Sequence, residues 1–176
     1  MLRLKGNNLV LESLTPETAE LVRVWRNSEP IRSQMEYQSI ISETDQTKWL
    51  NSVTNDENRY FLIRYNETPI GMIHLADIDR VQATAETGLF IGEVSYSGTG
   101  IALEASVLLL HFAFEELGLK KVYAKIKKGN QQAEDYNEFL GFMREGEYSS
   151  GFGKWKLTAE NFRMKEPQLM KLLLLI

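Results

Sequence analysis

The chain of 176 residues has no cysteine and only two histidines, and these shortages exclude several kinds of site. Without cysteine it can form no disulfide, no thiol nucleophile and no cysteine-ligated zinc centre. The histidines, His74 and His111, are too few for a convincing histidine metal site, so we expect no metal. A long apolar run is missing too, because the C-terminal stretch from Leu172 to Ile176 is far too short to span a bilayer.

Positive charge is also in short supply, since 20 Lys and Arg residues face 24 Asp and Glu residues for a formal net charge of −4. A nucleic-acid partner would favour a basic face, so we expect none. The N-terminus begins with basic residues but lacks the apolar stretch of a signal peptide. The proportions of 43% hydrophobic and 25% charged residues are typical of a globular protein. We therefore expect a cytoplasmic protein without a membrane partner, in which residues 1–176 form a single domain.

The most informative stretch runs from Glu86 to Leu119 and predicts a strand, a glycine-rich turn and a long buried helix. The turn reads Gly98-Thr99-Gly100 and leads into Ile101-Ala102. Small residues let the backbone approach a ligand closely, and the free amides of a helix N-terminus carry partial positive charge. This combination suits a phosphate group. An ordinary tight turn before a core helix explains the same residues without a ligand, and two glycines do not decide between these interpretations.

The elements after the long helix favour a ligand-binding turn over an ordinary tight turn. A strand over residues 121–127 leads to Asn130-Gln131-Gln132-Ala133 and then to Leu140-Gly141-Phe142. This order of strand, glycine-rich turn, helix, strand, Asn-x-x-Ala and Leu-Gly-Phe resembles the GNAT superfamily of acetyl-CoA-dependent N-acyltransferases. The superfamily's loop has the form Gln/Arg-x-x-Gly-x-Gly/Ala, from which only Ser97 departs here. The resemblance implies an α/β (α+β) fold, the GNAT fold, with a single mixed, mostly antiparallel sheet of about seven strands flanked by helices.

The resemblance also implies that acetyl-CoA is the cofactor and indicates where it binds. The strand that ends near Phe90 and Ile91 would splay from its neighbour, so its free backbone pairs with the pantetheine arm as an added strand would. An amide there would serve the developing oxyanion. Asn130 would cap the next helix and contact the coenzyme arm. The pyrophosphate would bind to the loop residues Gly98, Thr99, Gly100, Ile101 and Ala102.

Two positions carry the expected proton transfers. Glu86, at the start of the central strand, is a candidate for the general base, although a surface carboxylate would look the same in the sequence. The family's usual tyrosine acid lies seven residues after the asparagine, where this chain has Asn137, and the nearest tyrosine is Tyr136. A step of one residue turns a helical side chain by about 100°, so Tyr136 cannot simply take over the role. Either a shifted register brings Tyr136, the catalytic candidate, to the sulfur, or the thiolate leaves without a protein acid, or the enzyme is slow. We expect Asn137 to lie beside the coenzyme.

The N-terminal third carries the expected acceptor site. In the residues around Trp25, Arg26, Asn27, Arg32 and Trp49, it resembles a GNAT subgroup that acetylates the 4-amino group of nucleotide-linked sugars in pseudaminic acid synthesis. That subgroup usually has a histidine where this chain has Gln46. Arginine binds phosphate through two parallel hydrogen bonds, so Arg26 and Arg32 are candidates for binding the nucleotide diphosphate. Trp25 and Trp49 could equally be core residues. The candidate acceptor-binding residues are Trp25, Arg26, Asn27, Arg32 and Trp49.

Three functions remain open from the sequence. The leading one is an N-acetyltransferase for a nucleotide-linked amino sugar, a small-molecule acceptor. The second is an enzyme similar to the ribosomal-protein N-terminal acetyltransferases, and the third is an acyl-CoA-binding module with little turnover, suggested by Asn137. A homodimer is compatible with each.

Lysines crowd the strand over residues 121–127 and predict a solvated edge strand, while Phe152, Trp155 and Phe162 predict two closing strands.

Overall fold

The computed structural model describes residues 2–149 and 151–174. Within them, eight strands form one sheet. The strands are β1 (Arg3–Lys5), β2 (Leu9–Ser13), β3 (Arg59–Tyr65), β4 (Thr68–Asp79), β5 (Thr84–Ile91), β6 (Lys121–Lys127), β7 (Met143–Ser149) and β8 (Phe152–Thr158). The helices are α1 (Pro16–Asn27), α2 (Glu29–Arg32), α3 (Glu43–Val53), α4 (Ile101–His111), α5 (Gln131–Leu140) and α6 (Ala159–Leu173). None of the helices in the described residues is both long and apolar enough to cross a membrane.

The sheet has the order β1-β2-β3-β4-β5-β6-β8-β7, and its neighbouring strands are antiparallel except for one central pair. That pair is β5 and β6, which run parallel. Their pairing joins residues 84–87 to residues 121–124 and ends there, although β5 continues to Ile91 and β6 to Lys127. The two strands therefore diverge at their C-terminal ends and leave an opening in the middle of the sheet.

Local signals in the sequence explain where the helices begin and end. Thr15 caps α1 through a reciprocal pair of bonds with Thr18, and Pro16 occupies the first turn. Gly100 begins α4 with φ +83°, a left-handed conformation that favours glycine. The C-terminal end of α4 widens into one π-helical turn, Phe112–Glu116. Gly118 follows at φ +68°, the left-handed conformation in which many helices end.

Two hydrophobic clusters cover the two faces of the sheet. The larger one includes Leu109 of α4, Val122 of β6 and Phe162 of α6, and the smaller one includes Val22 of α1 and Leu62 of β3. Helix α4 is buried nearly all round, as its apolar sequence predicts. The helices α1 to α3 and the connecting loops therefore form a separate layer on the face opposite α4.

The sheet has eight strands, in line with the expected mixed, mostly antiparallel sheet of about seven, and the three-residue strand β1 is too short to carry an alternation signal. Two other expectations from the sequence need correction. The lysine-rich strand β6 is not an edge, since it lies between β5 and β8. Phe162 belongs to α6, whereas Phe152 and Trp155 do lie in a closing strand. The apolar run from Leu172 continues α6 as far as Leu173, and residues 175 and 176 lie outside the described residues.

Gly71 provides a test of the packing between β4 and β5. A Cβ atom at this position would lie 2.3 Å from the carbonyl oxygen of Phe90, a backbone atom that cannot move aside without shifting the strand. We expect Gly71→Ala to lower the free energy of unfolding by about 1–3 kcal/mol, measured by urea denaturation. The control is Thr68→Ala, an exposed position of the same strand, which should change it by less than about 0.5 kcal/mol. Equal unfolding midpoints for the two variants would contradict this packing.

Candidate active site

A cleft of about 590 Å³ passes through the opening between β5 and β6. One end is lined by Gly98 and Ala102 at the start of α4, and the other by Arg26 of α1 and the segment after α2. Between these ends it follows the diverging residues 88–91 of β5 and 124–127 of β6. The cleft thus connects the glycine-rich turn to the layer formed by α1 to α3.

The glycine-rich turn fits a phosphate group. Gly98 has φ +77°, and no described atom lies within 4 Å of a Cβ built on it, so the space beside its backbone is open. The α4 helix that starts after Gly100 is 11 residues long, and its first-turn amides point toward the turn. The Thr99 hydroxyl is engaged, since it donates to the Tyr96 carbonyl at 2.7 Å. Gly98 and the amides that begin α4 would therefore hold a pyrophosphate, while the Thr99 side chain supports the turn.

The helix α5 forms the wall of the cleft that follows the turn. Asn130 caps it by accepting a bond from the Ala133 amide at 3.2 Å, as predicted. The Asn137 amide donates to the Ala133 carbonyl of its own helix at 2.8 Å, with its oxygen left for a ligand. The Tyr136 hydroxyl lies 2.8 Å from the Ala102 carbonyl and 2.7 Å from the Ser106 hydroxyl. Burial raises the pKa of Tyr136.

Tyr136 thus has its hydroxyl against α4, not in the open part of the cleft. Its only proton is directed at the Ala102 carbonyl, because a carbonyl can accept but not donate. A role for Tyr136 as the acid would require this bond to break. Tyr136, one residue before the family's acid position, therefore connects α5 to α4 through its hydroxyl.

Glu86 lies on the cleft side of β5 and shares a lysine with a second carboxylate. The Lys125 ammonium is 2.9 Å from Glu36 and 3.9 Å from Glu86. It also lies 3.9 Å above the ring centroid of Tyr148. Burial opposes the charge of Lys125, but the bond to Glu36 and the charge of Glu86 more than offset it, so the pKa of Lys125 is raised. Glu86 is therefore a carboxylate that faces the reaction space and is only loosely paired.

A partly buried polar group on the acceptor side of the cleft consists of Arg26, His74 and Tyr60. Burial lowers the pKa of Arg26, whose Nε atom has no hydrogen-bond partner in the described part of the chain. His74 lies nearby in the same cleft, and burial together with the Arg26 charge lowers its pKa to about 4. The pKa of Tyr60 is raised to about 12 by burial and by the charges of Asp77 and Glu86. At neutral pH the group therefore holds one cation and two neutral rings.

The other predicted acceptor residues do not line the cleft. The Trp25 indole donates to Glu93 at 3.0 Å and is buried, and the Trp49 ring packs edge-on against Tyr60 at 4.9 Å. The amide of Asn27 exchanges two bonds with the backbone of residue 41, at 2.8 and 2.9 Å. Arg32 is paired with the carboxylate of residue 29. These side chains build the acceptor wall, and of the predicted set only Arg26 is exposed to the cleft.

Gln46 shows what its departure from the subgroup pattern means for the structure. Its side chain is buried and donates to the Ala19 carbonyl of α1 at 2.7 Å. It lies away from the cleft and ties α3 to α1. In this chain the position is therefore a structural one.

Sequence reasoning missed His74 and Lys125, which both line the cleft. His74 stands in an apolar strand and looks like a core residue, and Lys125 looks like one member of a solvated lysine run. The signal that could have identified them is alternation, since both point to the same face of the sheet as Glu86 once the strand register is known. That register depends on pairs far apart in sequence.

Comparison with known families decides the assignment. The model of the acetyltransferase (GNAT) domain family matches residues 8–159. The chain belongs to the GNAT family. It is therefore an acetyltransferase that uses acetyl-CoA, as the glycine-rich turn and the cleft indicate.

This GNAT enzyme is similar to two curated acetyltransferases and to solved structures of the same fold. It is 29% identical over 143 residues, 81% of the chain and 80% of the relative, to the SPbeta prophage-derived uncharacterized N-acetyltransferase YokL of Bacillus subtilis. It is 36% identical over 87 residues, 49% of the chain and 47% of the relative, to a B. subtilis protein named provisionally as the ribosomal N-acetyltransferase YdaF. The apo structure of FdhC, a nucleotide-linked sugar GNAT, has a TM-score of 0.79 at 21% identity, covering 95% of this chain and 96% of FdhC. The last likeness shows the fold.

Bound acetyl-CoA supplies an acetyl group activated as a thioester. The residues of this enzyme would hold the pyrophosphate at Gly98 and the start of α4, and the pantetheine arm along residues 88–91 of β5. Its Asn137 lines the same cleft. The acceptor amine must be neutral to attack, and we expect Glu86, one of two carboxylates that line the cleft in the described residues, to receive its proton directly or through water.

The glycine-rich turn can be tested by ligand-induced stabilisation. Acetyl-CoA at one hundred times its dissociation constant should stabilise the parent protein by about 2.7 kcal/mol in a thermal melt. Gly100→Val should abolish this shift, because valine is strained at φ +83°. Gly118→Val is the matched control, since φ is +68° at this glycine and no described atom lies within 4 Å of an added Cβ atom. It should lose stability but keep the shift, and a parent protein that does not respond would refute the cradle.

Glu86 can be tested through the pH dependence of acetyl transfer. Glu86→Gln should lower kcat/KM for the amine at neutral pH by a factor of about 100 to 10,000. The defect should shrink as pH rises, because the free amine then needs no base. The control is Glu36→Gln, which removes the nearer partner of Lys125 and should leave the shape of the profile unchanged. Parallel profiles for Glu86→Gln and the parent would make Glu86 a structural carboxylate.

Proposed function

We propose that this GNAT enzyme acetylates the amino group of a nucleotide-linked amino sugar in the cytoplasm. The single observation that carries the proposal is Arg26, a partly buried cation in the acceptor end of the cleft. None of the salt bridges among the described residues involves it.

A buried charge without a counterion is costly, and an anionic ligand removes that cost when it binds. The guanidinium offers planar, bidentate donors that match a phosphate or carboxylate. The described neighbours of Arg26 leave its Nε atom without a partner, so a ligand has a cation to pair with at this end of the cleft. The diphosphate of a nucleotide-linked sugar supplies that anion, whereas a simple polyamine would add a second positive charge beside Arg26.

The likeness to FdhC supports the fold that such an enzyme needs, and the partial similarity to YdaF keeps a second candidate open. A peptide acceptor would present its N-terminal amine at Glu86 and a carboxylate or backbone carbonyl at Arg26. Both candidates require the same coenzyme site, so they are separated only by the acceptor. The third function, a binding module with little turnover, loses its support with membership of an acetyltransferase family.

The acceptor can be identified by measuring CoA release with a matched panel. The panel contains UDP- and dTDP-linked amino sugars, the same sugars without the nucleotide, a polyamine and a peptide with a free N-terminus. We expect the highest kcat/KM with a nucleotide-linked sugar. Arg26→Gln should raise KM for that sugar roughly 10- to 100-fold, because it removes a charged hydrogen bond, and should leave KM for acetyl-CoA unchanged.

Arg32→Gln is the control for Arg26→Gln, since Arg32 is an arginine of the same region that is already paired with Glu29 and lies outside the cleft lining. It should change either KM less than about threefold. A preference for the free sugar over its nucleotide form would overturn the diphosphate assignment. Preference for the peptide would establish the second candidate.

A further inference from the structure

The cleft contains a histidine that the acetyl-transfer steps described above do not use. His74 lies in β4, where its partners across the sheet are Tyr60 of β3 and Gly88 of β5. Its ring stacks on Tyr60 with centroids 4.8 Å apart and planes inclined by 21°. A Cβ atom built on Gly88 would lie 2.6 Å from Cε1 and 3.3 Å from Nε2 of the ring. The imidazole therefore lies over Gly88 with its Cε1 atom closest to β5, and Nδ1 follows at 3.5 Å.

Gly88 is the residue at which β5 leaves β6. The last pair between these strands joins Thr87 to Ala124, so the residue that His74 covers is the first one beyond it. Glu86 is two residues earlier on the same strand, which places it on the same face as Gly88 about 7 Å away. Since His74 and Glu86 both line the cleft, an acceptor amine that reaches Glu86 brings its neighbouring atoms to His74.

The surroundings of the two ring nitrogens of His74 determine which one carries the proton. Burial and the charge of Arg26 lower the pKa of His74 to about 4, so the ring is neutral at physiological pH and has one N–H group. Nδ1 is buried and has no partner in the described residues. A buried N–H without an acceptor is costlier and rarer than an acceptor without a donor. The proton therefore belongs on Nε2, the ring nitrogen that is not among the enclosed, unpartnered atoms.

We propose that His74 is a specificity-determining residue, whose Nε2–H donates a hydrogen bond to an oxygen that the acceptor carries beside its reacting amine. The substrate class is then a vicinal amino alcohol. The partner is an oxygen because a hydrogen bond to the amine nitrogen would occupy the lone pair that must attack the acetyl group. The inference deepens the proposed function, since an amino sugar can carry a ring hydroxyl next to its amine.

Two amines that differ only in this hydroxyl test the proposal without a nucleotide. The probes are trans-2-aminocyclohexanol and cyclohexylamine, with acetyl-CoA as donor. In the parent enzyme we expect kcat/KM for the amino alcohol to be roughly 10- to 100-fold higher, because the deoxy amine leaves the imidazole N–H unpaired. His74→Leu should abolish the preference by losing rate with the amino alcohol, and KM for acetyl-CoA should not change.

His111→Leu is the matched control, because this other histidine is an exposed residue at the end of α4 and pairs with Glu166. It should keep the preference of the parent. Equal rates for the two amines in the parent would overturn the proposal, as would a preference that survives in His74→Leu. Neither result depends on whether a nucleotide-linked sugar is a substrate, so failure of the proposed function is seen separately in the acceptor panel.

Imidazole nitrogen NMR of the parent protein provides a test that does not rely on the folding of His74→Leu. With two histidines in the chain, the spectrum of His111→Leu assigns both rings. We expect His74 to be a neutral Nε2–H ring at pH 7, and we expect trans-2-aminocyclohexanol to shift its Nε2 signal with acetyl-CoA present while cyclohexylamine does not. An Nδ1–H ring would overturn the proposal. Absence of any shift at His74, or the same shift with both amines, would also overturn it.

Discussion

The end of the parallel pairing between β5 and β6 is the constraint on which the site depends. After Thr87 and Ala124 the two strands separate, and the sheet can remain intact only because β4 holds β5 on one side and β8 holds β6 on the other. Each diverging strand thus keeps one complete ladder and presents its other edge to the cleft. The coenzyme turn lines one end of the cleft through that opening, and Glu86 lines the cleft from the last paired part of β5.

The sequence predicted those features that local chemistry determines. Gly100 and Gly118 mark the ends of the central helical segment through their positive φ angles, and Asn130 caps α5 through a bond three residues along the chain. Cross-strand register is a different matter, because it depends on pairs far apart in sequence. Lys125 could not be distinguished from a solvated lysine until β8 was seen to cover β6, and His74 could not be distinguished from a core residue until Gly88 was seen opposite it.

The acceptor side combines a charged side chain, Arg26, with a neutral ring, His74. Burial and the Arg26 charge both keep His74 neutral, and Arg26 lies partly buried beside it. A carboxylate beside Arg26 would form an ion pair with it, whereas a neutral imidazole leaves both Arg26 and His74 available to a ligand. Tyr60, packed between Trp49 and His74, holds the ring orientation without adding charge.

The two hydrophobic clusters lie on opposite faces of the sheet and draw mainly on different parts of the chain. The smaller cluster and the hydrogen bonds of Asn27 and Gln46 hold the layer of α1 to α3 together, while the larger cluster anchors α4 and α6. Substitutions in residues 16–53 that keep the Trp25 bond to Glu93 would therefore alter the acceptor side before the coenzyme turn. Such an arrangement would allow a new acceptor to be acquired while the same acetyl donor is retained.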